Sequence, residues 1–194
     1  MVLAADRLLP RSRSPDWPPC HQISDGFHSS LVVPTQGSDG ALGTTAPWVE
    51  LGFCDVAWTI DGIEGTRHAC RLGLLPDDGC VEIGPIHDID GFLAEPSLDW
   101  SHPVGLSQAG YDGLVQRLGW WVDVSAPIMA QIDGRAYRPS RRHFSAYNSC
   151  NDFVADLLKR AGVSICPRPW RTAGILRSQV RGSQKISASG TVSP

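Results

Sequence analysis

The sequence predicts an α+β domain in which an antiparallel sheet packs against helices, and three observations carry that expectation. Short β-prone runs recur near residues 29–33, 47–53, 56–60 and 80–83, separated by Gly, Pro and Asp turn signals. Apolar residues then take up helical spacing after Ser107. They do so again after Ser149.

Residues 1–19 carry Arg11, Arg13 and several prolines, with no apolar stretch long enough for a signal peptide, and read as a flexible segment. The domain proper is expected over residues 20–177. Its first strand is Ser29-Ser30-Leu31-Val32-Val33, ended by Pro34. Trp48-Val49-Glu50-Leu51-Gly52-Phe53 is the next, with Trp48, Glu50 and Gly52 on one face. The helix after Ser107 buries Tyr111, Leu114, Val115 and Leu118, although Gly110, Gly113 and Gly119 weaken it. Arg135, Arg138, Arg141 and Arg142 read as a solvated basic loop, with attraction of an anionic substrate as the alternative. Phe153, Val154, Leu157, Leu158 and Ala161 mark one buried face of a helix over about 149–161, capped by Asn148 or Ser149 and stopped by Gly162. Residues 178–194, rich in Ser and Gly, read as a disordered tail.

Composition bounds the function. At 194 residues the chain suits one domain, and 42% hydrophobic with 19% charged residues is ordinary for a globular protein. A net charge of −3 offers no broad basic footprint for nucleic acid. No run approaches the ~18 apolar residues of a membrane span. Neither location nor oligomeric state is legible.

The chemistry concentrates at Tyr147-Asn148-Ser149-Cys150-Asn151-Asp152, where a cysteine falls in the first turn of the late helix. Unpaired N–H groups and the positive end of the helix dipole favour thiolate there. A free cysteine has a pKa of about 8.5, and reaching about 5 to 6 would need roughly 3.5–5 kcal/mol. A helix terminus supplies about 0.3–1 kcal/mol, rising to about 2 when partly buried. A protonated imidazole must do the rest.

Six histidines compete for that place. His28 heads the first predicted strand and has the best-defined direction. His143 is near Cys150 in sequence but reads as a loop or strand-edge residue, while His21, His68, His87 and His102 read as exposed surface groups. A third residue should orient the imidazole. Glu50, flanked by apolar residues, is the first choice and Asp55, near the strand end, the second.

Each of these residues has a plainer reading. Cys150 alone is a small buried hydrophobe, His28 a satisfied strand-end group, Glu50 a surface strand residue, and Asp55 a turn residue. A non-catalytic binding or structural domain of the same fold is therefore the rival to an enzyme.

His28-Ser29-Ser30-Leu31-Val32-Val33-Pro34, Trp48-Val49-Glu50-Leu51-Gly52-Phe53-Cys54-Asp55 and Tyr147-Asn148-Ser149-Cys150-Asn151 together resemble an uncharacterised bacterial family, sometimes labelled a conserved hypothetical protein of the urease region. Its pattern looks like Trp-His-Thr before the first strand, Trp-Leu-Glu-Phe-Gly-Trp-Gly-Asp in the second and Asn-Thr-Cys-Asn at the helix. The likeness covers about residues 26–175 and is loosest over 56–100. Phe27 stands for the first Trp, and Phe53-Cys54 for a Trp-Gly pair, which puts a role for Asp55 in doubt. Family members usually carry an N-terminal membrane or export segment, which is not found here.

The order of histidine, acidic strand residue and helical cysteine also resembles circularly permuted papain-like thiol hydrolases of the NlpC type. That resemblance implies a permuted papain-like fold and a thiol hydrolase or acyltransferase working through a cysteine thioester. Cys150 would be the nucleophile, His28 the acid–base group, and Glu50 or Asp55 the orienting group. The implied partners are peptide, cell-wall or acylated small-molecule substrates. No cofactor is implied.

Other chemistries are less well supported. His68, Cys70, Cys80 and His87 are metal-capable, but no Cys-x-x-Cys or helical His pair organises them, and no metal ligand set is assigned. The six cysteines suggest no disulfide connectivity. There is no Gly-x-Ser-x-Gly elbow and no phosphate-cradling glycine loop. The seven tryptophans, Trp120-Trp121 among them, fit an apolar groove or core packing equally well.

Overall fold

A computed structural model describes residues 18–36, 40–63, 65, 70–72, 75–166 and 172–189, the last six by backbone alone. The chain runs β1 (Cys20–Ser24), β2 (Ser29–Pro34), β3 (Trp48–Asp55), α1 (Val56–Thr59), β4 (Asp77–Ile86), α2 (Ile89–Leu93), β5 (Trp100–Val104), α3 (Gln108–Trp121), β6 (Ala130–Ile132), β7 (Arg135–Phe144), α4 (Cys150–Arg160) and α5 (Ala173–Ser189). The strands form one sheet in the order β5-β1-β2-β3-β4-β7-β6. Every neighbouring pair is antiparallel. The α+β class, with helices packed on an antiparallel sheet, is what the sequence pattern predicts. No helix among the described residues is long and apolar enough to cross a membrane.

Alternation sorts the central strands into two faces. Leu31, Val33, Val49, Leu51, Phe53, Val81 and Ile83 join Tyr111, Leu114 and Leu118 of α3 and Phe153, Val154, Leu157 and Leu158 of α4 in the main core. Phe53, Trp121 and Phe153 meet edge to face or tilted, with centroids 5.0–5.9 Å apart. The Trp121 indole N–H donates to Asp156 at 2.8 Å, and Arg117 pairs with the same carboxylate. Trp121 is thus a core residue, while its neighbour Trp120 lies outside under the Arg117 and Arg142 guanidinium groups.

Two of the glycines that weaken α3 on propensity explain its closeness to α4. A Cβ at Gly110 would lie 2.6 Å from the Ala161 carbonyl oxygen, and one at Gly113 would lie 3.0 Å from that of Arg160. Gly162, at φ +86°, then ends the α4 segment as anticipated.

Residues 56–59 are a helical turn and not a strand, because the Asp55 carboxylate accepts from the Trp58 N–H at 2.8 Å and caps it. The arginine cluster belongs to β7, whose backbone pairs with both β4 and β6. Residues 178–189 are helical and not a tail, since Leu176 and Val180, one turn apart, are fully buried against the core. His21 and His102 are half-buried, His21 edge-on to Trp48 and His102 stacked on Trp100. His87 is exposed as expected, and His68 lies outside the described residues.

Candidate active site

The opposite face of the central strands carries polar groups between two small apolar clusters, one built on Ile23, Val32 and Ile86 and the other on Cys54, Cys80 and Tyr137. His28, one residue before β2, is fixed there by a local turn. Asp25 accepts from the Phe27 N–H at 2.9 Å and the His28 N–H at 2.6 Å, and the Ser24 hydroxyl accepts from the Gly26 N–H. Gly26 takes φ +92°, where a side chain is rarely tolerated. The turn chemistry of Ser24-Asp25-Gly26 therefore sets the direction of the imidazole.

Cys150 is the first residue of α4. Ser149 caps the helix, and its N–H and hydroxyl both donate to Asp152. The Ser29 hydroxyl donates to Asn151 at 2.7 Å in a buried bond, which latches the helix start to the head of β2. That latch brings His28 and Cys150 into hydrogen-bonding contact across 122 residues of chain.

The electrostatics of the pair follow from this contact. Burial pushes the Cys150 thiol up, but the His28 hydrogen bond and charge, with backbone N–H groups of Ser29 and Asn151, outweigh it and leave the thiol below its ordinary value. Burial pulls His28 down, yet Cys150, Glu82 and Glu50 together raise it to about 9. Both directions favour thiolate beside imidazolium near neutral pH.

Glu50 lies on the predicted face but is not the acid nearest the imidazole. A ring nitrogen of His28, the Cys54 sulfur and a Glu82 carboxylate oxygen lie within 4.8 Å of one another. Gly52 makes the approach possible, since a Cβ there would stand 3.0 Å from Glu82 Oε2 and 3.2 Å from His28 Nε2. Arg135 bridges the two acids, donating from one nitrogen to both Glu50 and Glu82. Burial raises the Glu50 carboxyl, with Arg135 pulling in the opposite direction. Glu50 thus reaches His28 as a nearby charge, through a carboxylate–arginine–carboxylate bridge.

The structure brings Cys150, His28 and Glu50 into one neighbourhood. Asp55, buried at the last position of β3, serves as the N-cap of α1. Glu82 and Arg135 are the residues that sequence reasoning missed. Cys80-Val81-Glu82-Ile83 carries the same signal as Glu50, an acid between apolar strand residues. Arg135 sits within a run that reads as a solvated loop, and nothing local marks it as buried against acids. Comparison with protein-family models, curated proteins and solved structures finds no match for this chain.

Proposed function

We propose that this chain is a cysteine-dependent hydrolase or acyltransferase of the permuted papain-like, NlpC-type class. One observation carries the reading, the contact between the Cys150 sulfur at the head of α4 and the imidazole of His28 at the head of β2. The antiparallel sheet, with histidine on an early strand and cysteine on a late helix packed against it, supports the class.

In this mechanism the Cys150 thiolate attacks the substrate carbonyl carbon, and backbone N–H groups at the start of α4 take the oxyanion. His28 gives its proton to the departing nitrogen or oxygen as that bond breaks, leaving a thioester on Cys150. The neutral imidazole then accepts a proton from water or from an acceptor nucleophile, whose attack releases the acyl group and restores the thiolate. Glu82 and Glu50, with Arg135 between them, offset the positive charge of His28. Amides of peptides or cell-wall material are the leading substrates, with lipid-like esters or amides next.

Incubation with a p-nitrophenyl acyl ester tests this directly. The expected result is a burst near one nitrophenolate per chain, with the acyl mass found on Cys150 and absent in Cys150→Ser. Acylation that survives Cys150→Ser, or no acylation of the native chain, would overturn the reading and favour a binding domain.

A further inference from the structure

We propose that His28, Cys54 and Glu82 form a zinc site on the sheet face, and that zinc there switches off the Cys150–His28 pair. The cluster uses none of His68, Cys70, Cys80 and His87, the metal-capable cysteines and histidines of residues 68–87. Three ligand atoms of different kinds, an imidazole nitrogen, a thiol sulfur and a carboxylate oxygen, already lie within 4.8 Å of one another.

Tetrahedral zinc, at about 2.0–2.3 Å from N, O and S ligands, places those ligands about 3.3–3.8 Å apart. Cys54 Sγ and Glu82 Oε2 are at that separation now, 3.7 Å. Closing the remaining pairs takes movements of about an ångström. The imidazole is prepared for it, since His28 Nε2 is buried with no hydrogen-bond partner among the described residues. Glu82 is prepared as well, because Arg135 holds its Oε1 and leaves Oε2 turned toward Cys54. That is the outer-shell support that orients a ligating carboxylate. A thiolate with an imidazole selects zinc over magnesium or calcium, which prefer all-oxygen sites.

Binding releases the Cys54 thiol proton and the proton carried by the His28 nitrogen that becomes the ligand. The other ring nitrogen keeps its proton, but on a neutral zinc-bound imidazole that N–H is a far weaker acid than an imidazolium N–H and does not serve as proton donor to a leaving group. The inhibitory half of the proposal therefore rests on the hydrolase reading, whereas zinc binding stands without it.

The test uses the full chain with the exposed Cys70 and Cys166 replaced by serine, titrated with Zn2+ against a chromophoric chelator and separately with Co2+. One equivalent should bind, with a thiolate-to-cobalt charge-transfer band. Cys54→Ser and Glu82→Gln should each weaken binding by at least about 100-fold, since losing a ligand costs no less than the roughly 10–100-fold of losing an outer-shell partner. Cys54→Ala, checked for native circular dichroism, guards against a misfolded serine variant. Absence of zinc uptake by the parent chain, or uptake unchanged in folded Cys54 variants, would overturn the site. Zinc uptake with slow alkylation of Cys150 would overturn only the hydrolase reading. Rapid acylation that saturating zinc leaves unchanged would overturn the switch.

Discussion

At about pH 6.5, His28→Ala is expected to slow alkylation of Cys150 by iodoacetamide about 100-fold, because a thiol returned to a pKa of about 8.5 is only about 1% thiolate there. The variant keeps the N–H groups of Ser29 and Asn151 that face the sulfur. It also keeps the helix terminus, worth about 0.3–1 kcal/mol and at most about 2. Burial opposes both and pushes the thiol up. With the imidazole gone, the opposing effect wins. His28→Asn fills more of the space left by the ring and should behave alike, which separates lost charge from a collapsed pocket. Mass spectrometry of labelled Cys150 reads the rate, and a rate within threefold of native in both variants would remove the imidazole from the account (threefold being about 0.65 kcal/mol, well inside ordinary context effects).

Arg135→Met is expected to lower unfolding free energy by about 3 kcal/mol near pH 7, the low end of the range for breaking a buried pair from one side. The two carboxylates it serves have side chains only 8% and 9% exposed, and Arg135 itself is 31% exposed. Without it, two acids face each other in a poorly solvated pocket. The Glu50 carboxyl, already raised by burial, rises further once the guanidinium that pulls it down is gone. A raised folded-state carboxyl binds protons more readily than the unfolded chain does, so acidification favours the folded variant. The stability gap to the native chain should therefore narrow as pH falls from about 7 towards the carboxylate range near 4.3. Urea unfolding at several pH values measures it. A gap under about 1 kcal/mol at every pH would mean the bridge acts as an exposed ion pair.

What was legible in the sequence was whatever depends on local periodicity. The α4 face from Phe153 to Ala161, its Ser149 cap and the Gly162 stop all follow from spacing and from residue types with one local use. The parity of β3 placed Trp48, Glu50 and Gly52 together. Local patterns failed where long-range pairing decides. Arg135 to Phe144 holds four arginines and a proline and still forms a strand, because β4 and β6 offer it backbone partners on both sides. Val56 to Thr59 is β-prone, yet one carboxylate at Asp55 turns it into a helical cap.

The site divides along the same line. Cys150 and His28 stand at element starts, which sequence marks with caps and turns. Choosing between acids required the register of β3 on β4, where Gly52 lies opposite Glu82 and Glu50 opposite Gly84. No single-strand pattern contains that register, so Glu82 stayed hidden behind Glu50. Its helper Arg135 arrives from 53 residues further along.

Whether Cys150 and His28 exist as thiolate and imidazolium is read from the pH dependence of Cys150 alkylation. The chain carries Cys70→Ser and Cys166→Ser so that the exposed cysteines consume no reagent. The rate should rise with a midpoint below the ordinary thiol value of about 8.5. A plateau should follow and persist until the His28 imidazolium loses its proton at about 9. A single rise with its midpoint at or above about 8.5 would show an isolated buried thiol and contradict the pair.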